Sequence, residues 1–443
     1  MSTTQIPADT PAAIPAIPQI VRPHAATDNT PPPQGADIPA AAPAIAEEKI
    51  PCERRVSFQL PTGELVETVV GCSGFFSFWV QGEEESRASI VLGGTKYEPQ
   101  YGLKPFCEAG VVRFPAWPAP YGTTAQLLGE LKQFIQCYAD LPQDWLDIVC
   151  LYVLMTWVYD RFMAVPYLRF LGEPGTGKTR YLQVCSAISY KGTLVSGNIT
   201  GPALFRTIDL VRGTMAVDEA DFKNSAEWSD VAKVLNNGYS VGTPVIRCNK
   251  NTFDPECFQV FGPKIISTRN RFEDEATETR CLTLETKEQR VSPHIPLQLP
   301  LTIDQEALAL RNKLLRWRFD NFDRVTVKEE GLRNLFARSG QIGASLAAVA
   351  PDEAWLKKLF SFLQRLDEGR DEESPKGMVQ RSVASFFTGT RSSARVNEIT
   401  EAVNSERKER GLELLSARKV GGILRSLGFA PRRTNQGYVV MPQ

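Results

Sequence analysis

The chain is poor in the residues that build metal sites and disulfide frameworks. Its 443 residues include two histidines, His24 and His294, and none of its nine cysteines belongs to a Cys-x-x-Cys pair. A zinc site of the usual ligand spacing is therefore excluded, and reduced thiols in a core are the simplest interpretation of the cysteines. The formal net charge is −1, so any site for a polyanion must be local.

Long apolar runs are also missing. The most apolar window, residues 148–159, is shorter than a spanning helix and is flanked by Asp147, Asp160 and Arg161, which is typical of a buried helix. No secretory signal is recognisable, because a basic region and a continuous apolar region are both absent near residue 1. These absences predict no membrane partner and a cytoplasmic location.

Composition and periodicity divide the chain into six regions. Residues 1–51 hold 11 of the 31 prolines and no aromatic residue, which predicts a disordered tail. The other expected regions are a β-rich module at 52–118, an α/β core with a parallel sheet at 119–290, a helical region at 291–368, a charged linker at 369–379 and a compact unit at 380–443.

A glycine-rich stretch follows the apolar run "VPYLRFL". The sequence "GEPGTGKT" fits G-x-x-x-x-G-K-[ST]. In such a loop the backbone N–H groups and the start of the next helix bind phosphates, the lysine contacts the β- and γ-phosphates, and the hydroxyl after it contacts Mg²⁺. ATP and Mg²⁺ are the predicted ligands. The predicted nucleotide-binding residues are Gly172, Gly175, Thr176, Gly177, Lys178 and Thr179.

Two carboxylates follow a second apolar run, Met215–Val217. We expect Asp218 to hold the magnesium ion together with Thr179, and Glu219 to act as the general base that polarises a water molecule against the γ-phosphorus. The second carboxylate favours ATP hydrolysis coupled to mechanical work over a GTPase or a small-molecule kinase.

With the third candidate strand, residues 262–270, the chain resembles the AAA+ branch of P-loop ATPases. The resemblance implies that a polar residue at the end of this strand orients the water, and Thr268 and Asn270 both remain candidates. It also implies that Arg280 reaches the γ-phosphate of a neighbouring subunit and that Arg338, in a helical lid, senses nucleotide. A salt bridge at the sheet edge and a solvated helix charge are the alternatives.

Three motifs carry a narrower resemblance: "LFRTID" (204–209), "DEADF" (218–222) and "LNNGY" (235–239). They are similar to a group of ATPases encoded beside primase-type genes on plasmids, phages and integrated elements, a group taken to contain replication helicases. The resemblance implies an AAA+ core at 119–290 and a lid at 291–368. It also implies a homo-oligomer, a hexamer, that acts on single-stranded or forked DNA, with a primase or another replication protein as partner.

Two further segments have features of DNA contact. A hairpin is expected between the second and third strands, where Arg247, Lys250 or both would touch a phosphate backbone, and a purely structural hairpin is the alternative. Residues 380–443 have the order of a winged helix: a helix at 396–410, a second helix capped by Ser416, and a hairpin.

The part of this unit from residue 416 onward has no acidic residue, which favours DNA contact over protein contact. Its basic residues are Arg418, Lys419, Arg425, Arg432 and Arg433.

The sequence therefore predicts an ATP-driven DNA-remodelling motor, either a replicative helicase or a helicase-loader-like ATPase of a mobile element. A protein-remodelling ATPase that recruits its partner through the winged helix is one alternative. An ATP-gated DNA-binding regulator with slow turnover is the other. ATPase stimulation by single-stranded DNA, by a protein alone, or tight duplex binding without turnover would distinguish the three.

Overall fold

The structure is a computed structural model that describes residues 50–220, 226–272, 274–288, 290–388, 392–409, 412–434 and 437–441. These residues belong to one compact unit that begins at Ile50. The tail predicted at 1–51 thus falls almost wholly outside the described residues. No helix in the described ranges is long and apolar enough to cross a bilayer.

Short strands dominate the first part of the described chain, as the sequence predicts. They form a four-stranded sheet in the order β2-β3-β4-β5 and a three-stranded sheet in the order β1-β7-β6. The strands are β1 Cys52–Arg55, β2 Ser57–Gln59, β3 Leu65–Val70, β4 Phe76–Val80, β5 Ser86–Arg87, β6 Ile90–Leu92 and β7 Thr95–Pro99.

A buried ionic network joins these strands to the rest of the unit. Glu67 on β3 accepts a hydrogen bond from Arg318 Nε at 2.8 Å and lies 3.3 Å from Lys191 Nζ. Arg318 also pairs with Asp160 at 2.7 Å. Burial lowers the pKa of Lys191 to about 8. Because an unpaired buried charge is costly, removing any one partner should destabilise this junction.

Three helices precede the central sheet: α1 Lys104–Glu108, α2 Thr124–Tyr138 and α3 Gln143–Thr156. A capping box begins α2, in which Thr123 and Gln126 satisfy each other's backbone N–H groups. Every residue of α3 from Leu146 to Thr156 is buried, which explains the apolar window without a membrane.

The central sheet has five parallel strands in the order β14-β8-β13-β10-β9. Its strands are β8 Tyr167–Leu171, β9 Thr193–Ser196, β10 Met215–Asp218, β13 Lys264–Thr268 and β14 Cys281–Glu285. A separate antiparallel hairpin is formed by β11 Val245–Cys248 and β12 Pro255–Phe258. The helices of this region are α4 Lys178–Ile188, α5 Gly201–Val211, α6 Ala226–Asn237 and α7 Glu275–Glu278.

Helices cover both faces of this sheet. Along β10, Ala216 belongs to the apolar core that contains α4, whereas Met215 and Val217 belong to the core that contains α5 and α6. This alternation is that of a strand buried on two faces. The predicted α/β fold with a parallel sheet is therefore present.

The helical region contains α8 Ile303–Asn321, α9 Ala337–Val349, α10 Glu353–Glu373 and α11 Pro375–Phe387. The prediction of a charged linker at 369–379 differs from this structure, because α10 continues to Glu373 and α11 begins at Pro375. Ser374 caps α11 by accepting a hydrogen bond from Gly377 N at 2.9 Å, and a proline in the first turn is compatible with a helix start.

The last elements are β15 Ala394–Arg395, α12 Val396–Glu409, α13 Ala417–Ser426, β16 Arg432–Thr434 and β17 Gly437–Val440. The strands form a small sheet in the order β15-β17-β16, and the helices enclose an apolar core of their own with it. Ser416 caps α13 by accepting from Lys419 N at 3.3 Å, as expected. The tip of the hairpin, residues 435–436, lies outside the described residues.

Candidate nucleotide site and nucleic-acid interface

The glycine-rich loop connects the carboxyl end of β8 to the first turn of α4. Gly175 and Gly177 have φ angles of 84° and 85°, a conformation that favours glycine. At Gly172 a side chain would collide with the carbonyl and hydroxyl oxygens of Thr286, the residue after β14. The loop glycines are therefore required for two reasons, backbone conformation and close packing.

The lysine of the loop is largely buried beside the loop's own backbone. Lys178 Nζ donates to the carbonyls of Gly172 and Glu173 at 2.5 and 2.7 Å. Thr176 Oγ1 donates to the Glu173 carbonyl at 2.8 Å and lies 2.7 Å from Thr286 Oγ1. These bonds fix a positive charge and a compact loop at the end of β8.

The second predicted segment meets the loop. Thr179 Oγ1 donates to Asp218 Oδ2 at 2.9 Å, and Ser267 Oγ donates to Asp218 Oδ1 at 2.5 Å. The hydroxyl of Ser267 also accepts from Glu219 N at 2.8 Å. The hydroxyls of Thr179 and Ser267, the carboxylate of Asp218 and the backbone N–H of Glu219 therefore form one continuous network at the carboxyl ends of β8, β10 and β13.

Glu219 occupies an unusual backbone conformation. Its φ is 53°, and a non-glycine residue held in this region costs about 1 kcal/mol or more. The bond from Glu219 N to Ser267 and the bond from Ala220 N to the Ser267 carbonyl, at 2.9 Å, hold it there. The side chain is 68% exposed, with Oε1 at 3.2 Å from a guanidinium nitrogen of Arg269. Glu219 also lines the cleft beside the loop.

A cleft of about 420 Å³ separates the two segments. Lys178 and Thr179 line one side, and Asp218, Glu219 and Arg269 line the other. The volume falls in the range of small-molecule sites. In the described part of the chain, no group of three or more His, Cys, Asp or Glu side chains is arranged to hold a metal ion by itself.

Neither predicted candidate at the polar end of β13, Thr268 or Asn270, lines the cleft. Thr268 is buried, and among the described residues its hydroxyl has no hydrogen-bond partner. Asn270 is exposed and does not line the cleft. Ser267 and Arg269 contact the carboxylates instead. Sequence reasoning missed Ser267, because every residue of β13 is buried and the strand shows no polar alternation.

Arg280 and Arg338 lie away from this cleft. Arg280 precedes β14, and its carbonyl accepts from Tyr167 N, at the first residue of β8. The guanidinium groups of both arginines lie against the ring of Tyr239. The loop, by contrast, follows the last residue of β8. Neither arginine lines this cleft, and their assigned roles stay predictions.

The expected hairpin is formed by β11 and β12. Arg247 is half-buried with its guanidinium 5.5 Å from the Phe205 ring, whereas Lys250 is exposed in the connecting turn. The turn also presents Phe253, which is 81% exposed and has a φ of 62°. Asn249 Oδ1 fixes the turn by accepting from Asn251 N at 2.8 Å. Sequence reasoning missed Phe253, whose signal is an aromatic residue among polar turn residues.

A buried lysine joins the two ends of the hairpin segment. Lys264 Nζ donates to the carbonyls of Gly238, Val260 and Gly262 at 3.1, 2.9 and 3.0 Å. Burial lowers the pKa of Lys264 to about 7. The side chain of Lys264 therefore ties together the segments that precede and follow the hairpin.

The predicted basic residues of the C-terminal unit share one property, exposure to solvent. None of them forms an ion pair with another described residue. On and after α13 these are Arg418, Lys419, Arg425, Arg432 and Arg433. Their charge is therefore available to an external anion.

Comparison with known proteins gives weak similarities. No protein-family model and no curated protein matches the chain. One solved structure, SCCmec type IV Cch, described as an active helicase, shares 12% identity at a TM-score of 0.45, covering 88% of this chain and 78% of Cch.

Two other solved structures show comparable values. The C-terminal region of NrS-1 shares 13% identity, covers 85% of this chain and 95% of its own, and has a TM-score of 0.34. A full-length MCM homolog from Methanopyrus kandleri shares 10% identity over 69% and 73% of the two chains, with a TM-score of 0.37. We assign no function from similarities at this level.

Proposed function

We propose that this chain is an ATP-driven DNA-remodelling motor with an AAA+ core, a helical lid and a C-terminal winged helix. A replicative helicase or a helicase-loader-like ATPase of a mobile element fits best. One observation supports the proposal most strongly: the hydrogen-bonded network from Thr179 through Asp218 and Ser267 to Glu219, beside a loop that carries Lys178.

The residues at the cleft fit ATP and Mg²⁺. The loop N–H groups and Lys178 would bind the phosphates, and Thr179 with Asp218 would hold Mg²⁺, whose charge neutralises phosphate oxygens when bound. Ser267 keeps the carboxylate of Asp218 in place by donating to its other oxygen, at 2.5 Å. Thr179 and Asp218 are therefore oriented by contacts within the protein itself.

Glu219 is suited to accept the proton of an attacking water. Its carboxylate projects into the cleft from a strained backbone, and its partner Arg269 is itself 47% exposed. An exposed ion pair of this kind is weak, so Glu219 can exchange it for a water molecule. Arg269 would then remain near the negative charge that develops at the phosphate.

Two surfaces carry cationic side chains that would contact DNA. The β11–β12 turn combines Lys250 with the exposed ring of Phe253, and Arg247 lies at its base. Stacking of a base on an aromatic ring with a nearby phosphate contact is the mode by which single strands are bound without sequence preference. The exposed cations on and after α13 would contact phosphates of forked or duplex DNA.

The positions of Arg280 and Arg338 favour an oligomer, and a hexamer is the form that we propose. Both arginines lie where β8 begins, so each is available to the nucleotide of a neighbouring subunit rather than to its own. A site completed between subunits makes turnover depend on assembly.

ATP hydrolysis and strand separation should be measured with no DNA and with single-stranded, forked and duplex DNA. We expect single-stranded DNA to stimulate turnover and a forked substrate to be separated, whereas Lys178→Ala should abolish both. Stimulation by a protein alone would support a protein-remodelling ATPase. Tight duplex binding with negligible turnover would support a nucleotide-gated regulator, and either result would contradict the motor.

A further inference from the structure

The "LFRTID" motif (204–209) does not line the nucleotide cleft and forms the middle of α5. Its apolar residues fall at helical spacing on one side of α5. That side packs against β10 in an apolar core to which the two elements contribute Leu204, Phe205, Ile208, Met215 and Val217. Because β10 ends at Asp218, α5 is attached to the strand that carries the first acidic residue of the cleft.

The loop before α5 lies against the same acidic residues. Ser196, the last residue of β9, pairs with Asp218 in the parallel register. At the next residue, Gly197, a Cβ atom would lie 2.1 Å from the Glu219 carbonyl oxygen and 3.0 Å from that of Asp218. The two backbones are therefore in direct contact at a position where no side chain fits. A nucleotide that shifts Glu219 would shift this loop with it.

The loop and α5 form one stiff segment. Ile199 N donates to the Ser196 carbonyl at 3.2 Å, and Thr200 caps the helix by accepting from Ala203 N at 3.4 Å. Pro202 lies in the first turn, where its fixed φ favours the start of a helix. These contacts limit bending between the loop and the helix.

The second half of α5 holds the hairpin. The Phe205 ring lies 4.8 Å from the ring of Phe258 on β12, and the guanidinium carbon of Arg206 lies 5.2 Å from the centroid of each ring. Gln259 N, directly after β12, donates to Asp209 Oδ1 at 3.1 Å. A hydrogen bond to a carboxylate is stronger than one between neutral groups. Strand β12 is therefore fixed to α5 by a ring pair, a cation and a carboxylate.

The hairpin depends on such contacts for its position. A two-stranded hairpin is marginally stable by itself. Val245 is buried, but Ile246 on the same strand is 58% exposed and Phe253 in the turn is 81% exposed. Lys264 ties the two ends of the hairpin segment, and α5 holds β12 itself. The orientation of the turn therefore follows the orientation of α5.

We propose that Arg206 and Asp209 are positioning residues that hold the hairpin on α5, and that α5 transmits the nucleotide state of the cleft to the turn that would contact DNA. This inference rests on the proposed function. From Gly201 to Asp209 the helix spans about 12 Å, at about 1.5 Å per residue. Coupling over such a distance is carried by packed side chains and rigid elements. Asp209 itself is not a phosphate contact, because like charges repel.

Asp209→Ala removes the acceptor of Gln259 N and leaves the cleft untouched. Two quantities should be measured: the factor by which a thymidine oligonucleotide stimulates ATP hydrolysis, and the ratio of its Kd values with and without a non-hydrolysable ATP analogue. A hydrogen bond to a charged group shifts a local equilibrium about tenfold or more. We therefore expect both quantities to fall about three- to tenfold towards one, whereas turnover without DNA keeps the parent rate.

Two variants of the same contact serve as controls. Asp209→Asn keeps an oxygen acceptor for Gln259 N and should restore most of the stimulation. Arg212 pairs with the same Asp209 oxygen at 2.9 Å and is 57% exposed, so Arg212→Ala removes a cation without touching β12 and should behave as the parent. Arg206 is exposed, and Arg206→Ala should repeat the pattern of Asp209→Ala in a variant whose folding does not depend on that side chain.

The outcomes separate this inference from the proposed function. A parent protein that DNA does not stimulate would refute the proposed function. A stimulated parent whose Asp209→Ala and Arg206→Ala variants keep the parent stimulation and Kd ratio would overturn only the present inference. So would a loss of turnover without DNA, which would show that α5 merely supports the cleft. An equal loss of DNA affinity with and without the analogue would overturn it as well, because the nucleotide would then have no effect through α5.

Discussion

Replacing Glu219 with glutamine isolates the proposed base from the rest of the site. Glutamine keeps the length of the side chain and pays the same backbone penalty at a φ of 53°. The contacts that hold the segment are made by the backbone N–H of residue 219 and by Ser267, and they remain. The change therefore removes a proton acceptor without removing the network that orients Asp218.

The expected magnitudes separate chemistry from stability. A positioned general base contributes about 10²- to 10⁴-fold, which corresponds to about 3–5 kcal/mol in the barrier at about 1.4 kcal/mol per factor of ten. The ion pair with Arg269 joins side chains that are 68% and 47% exposed, so its loss should change the free energy of unfolding by less than about 1 kcal/mol. ATP binding should be unchanged or tighter, because a negative charge leaves the cleft.

Steady-state phosphate release and binding of a fluorescent ATP analogue should be measured side by side. Glu329→Gln is a matched control, since Glu329 is 65% exposed and pairs with Arg333 outside the cleft. The control should hydrolyse ATP at the parent rate. Hydrolysis at the parent rate by Glu219→Gln would refute the assignment of the base, and loss of ATP binding would show that the residue has a structural role instead.

Three further changes probe separate parts of the molecule. Ser267→Ala removes two hydrogen bonds, each of which contributes about 1 kcal/mol net. Turnover should therefore fall about tenfold, and the Mg²⁺ concentration for half-maximal activity should rise. An unchanged Mg²⁺ titration would contradict this role. Lys264→Met removes a group that, with its pKa near 7, binds a proton on unfolding between pH 7 and about 10. The unfolding free energy of the parent should therefore rise with pH relative to the variant, by up to about 1.4 kcal/mol per unit, and parallel denaturation profiles would refute the shift. Phe253→Ala should cost about 1–3 kcal/mol in affinity for single-stranded DNA, measured by anisotropy, whereas the exposed Phe75 can be replaced by alanine without loss; equal affinities would exclude stacking.

Sequence patterns were sufficient to predict features that depend on one characteristic combination of residue types. The spacing of glycines, a lysine and a hydroxyl predicted the loop after β8. The acidic pair after an apolar run predicted the two residues that line the cleft opposite the loop. The cap of α13 by Ser416 was predictable because the residue that it caps, Lys419, is close in sequence. These features depend on neighbours within a few residues, or on the rule that parallel strands end at one edge of a sheet.

Other features depend on contacts between residues that are distant in the sequence, and no local pattern reveals these contacts. β13 is buried on both faces, so its polarity does not alternate and cannot tell Ser267 from Thr268 as the partner of Asp218. The prediction of a linker at 369–379 rests on local charge, which does not reveal that Arg370 donates to the Cys281 carbonyl at 2.7 Å or that Met378 and Val379 pack in the C-terminal core. The position of Arg338 in the chain likewise does not reveal that its guanidinium lies 5.0 Å from the Tyr239 ring.

The attachment of the hairpin to Lys264 bears on how the proposed motor could be varied. The carbonyls at both ends of the segment, Gly238 and Val260 with Gly262, share one amino group. Changes confined to the turn between β11 and β12 would leave these bonds in place, whereas Val245 on β11 belongs to the apolar core of the sheet. The proposed grip on a nucleic acid could therefore be altered at the turn, by evolution or by design, without rebuilding the hydrolytic cleft.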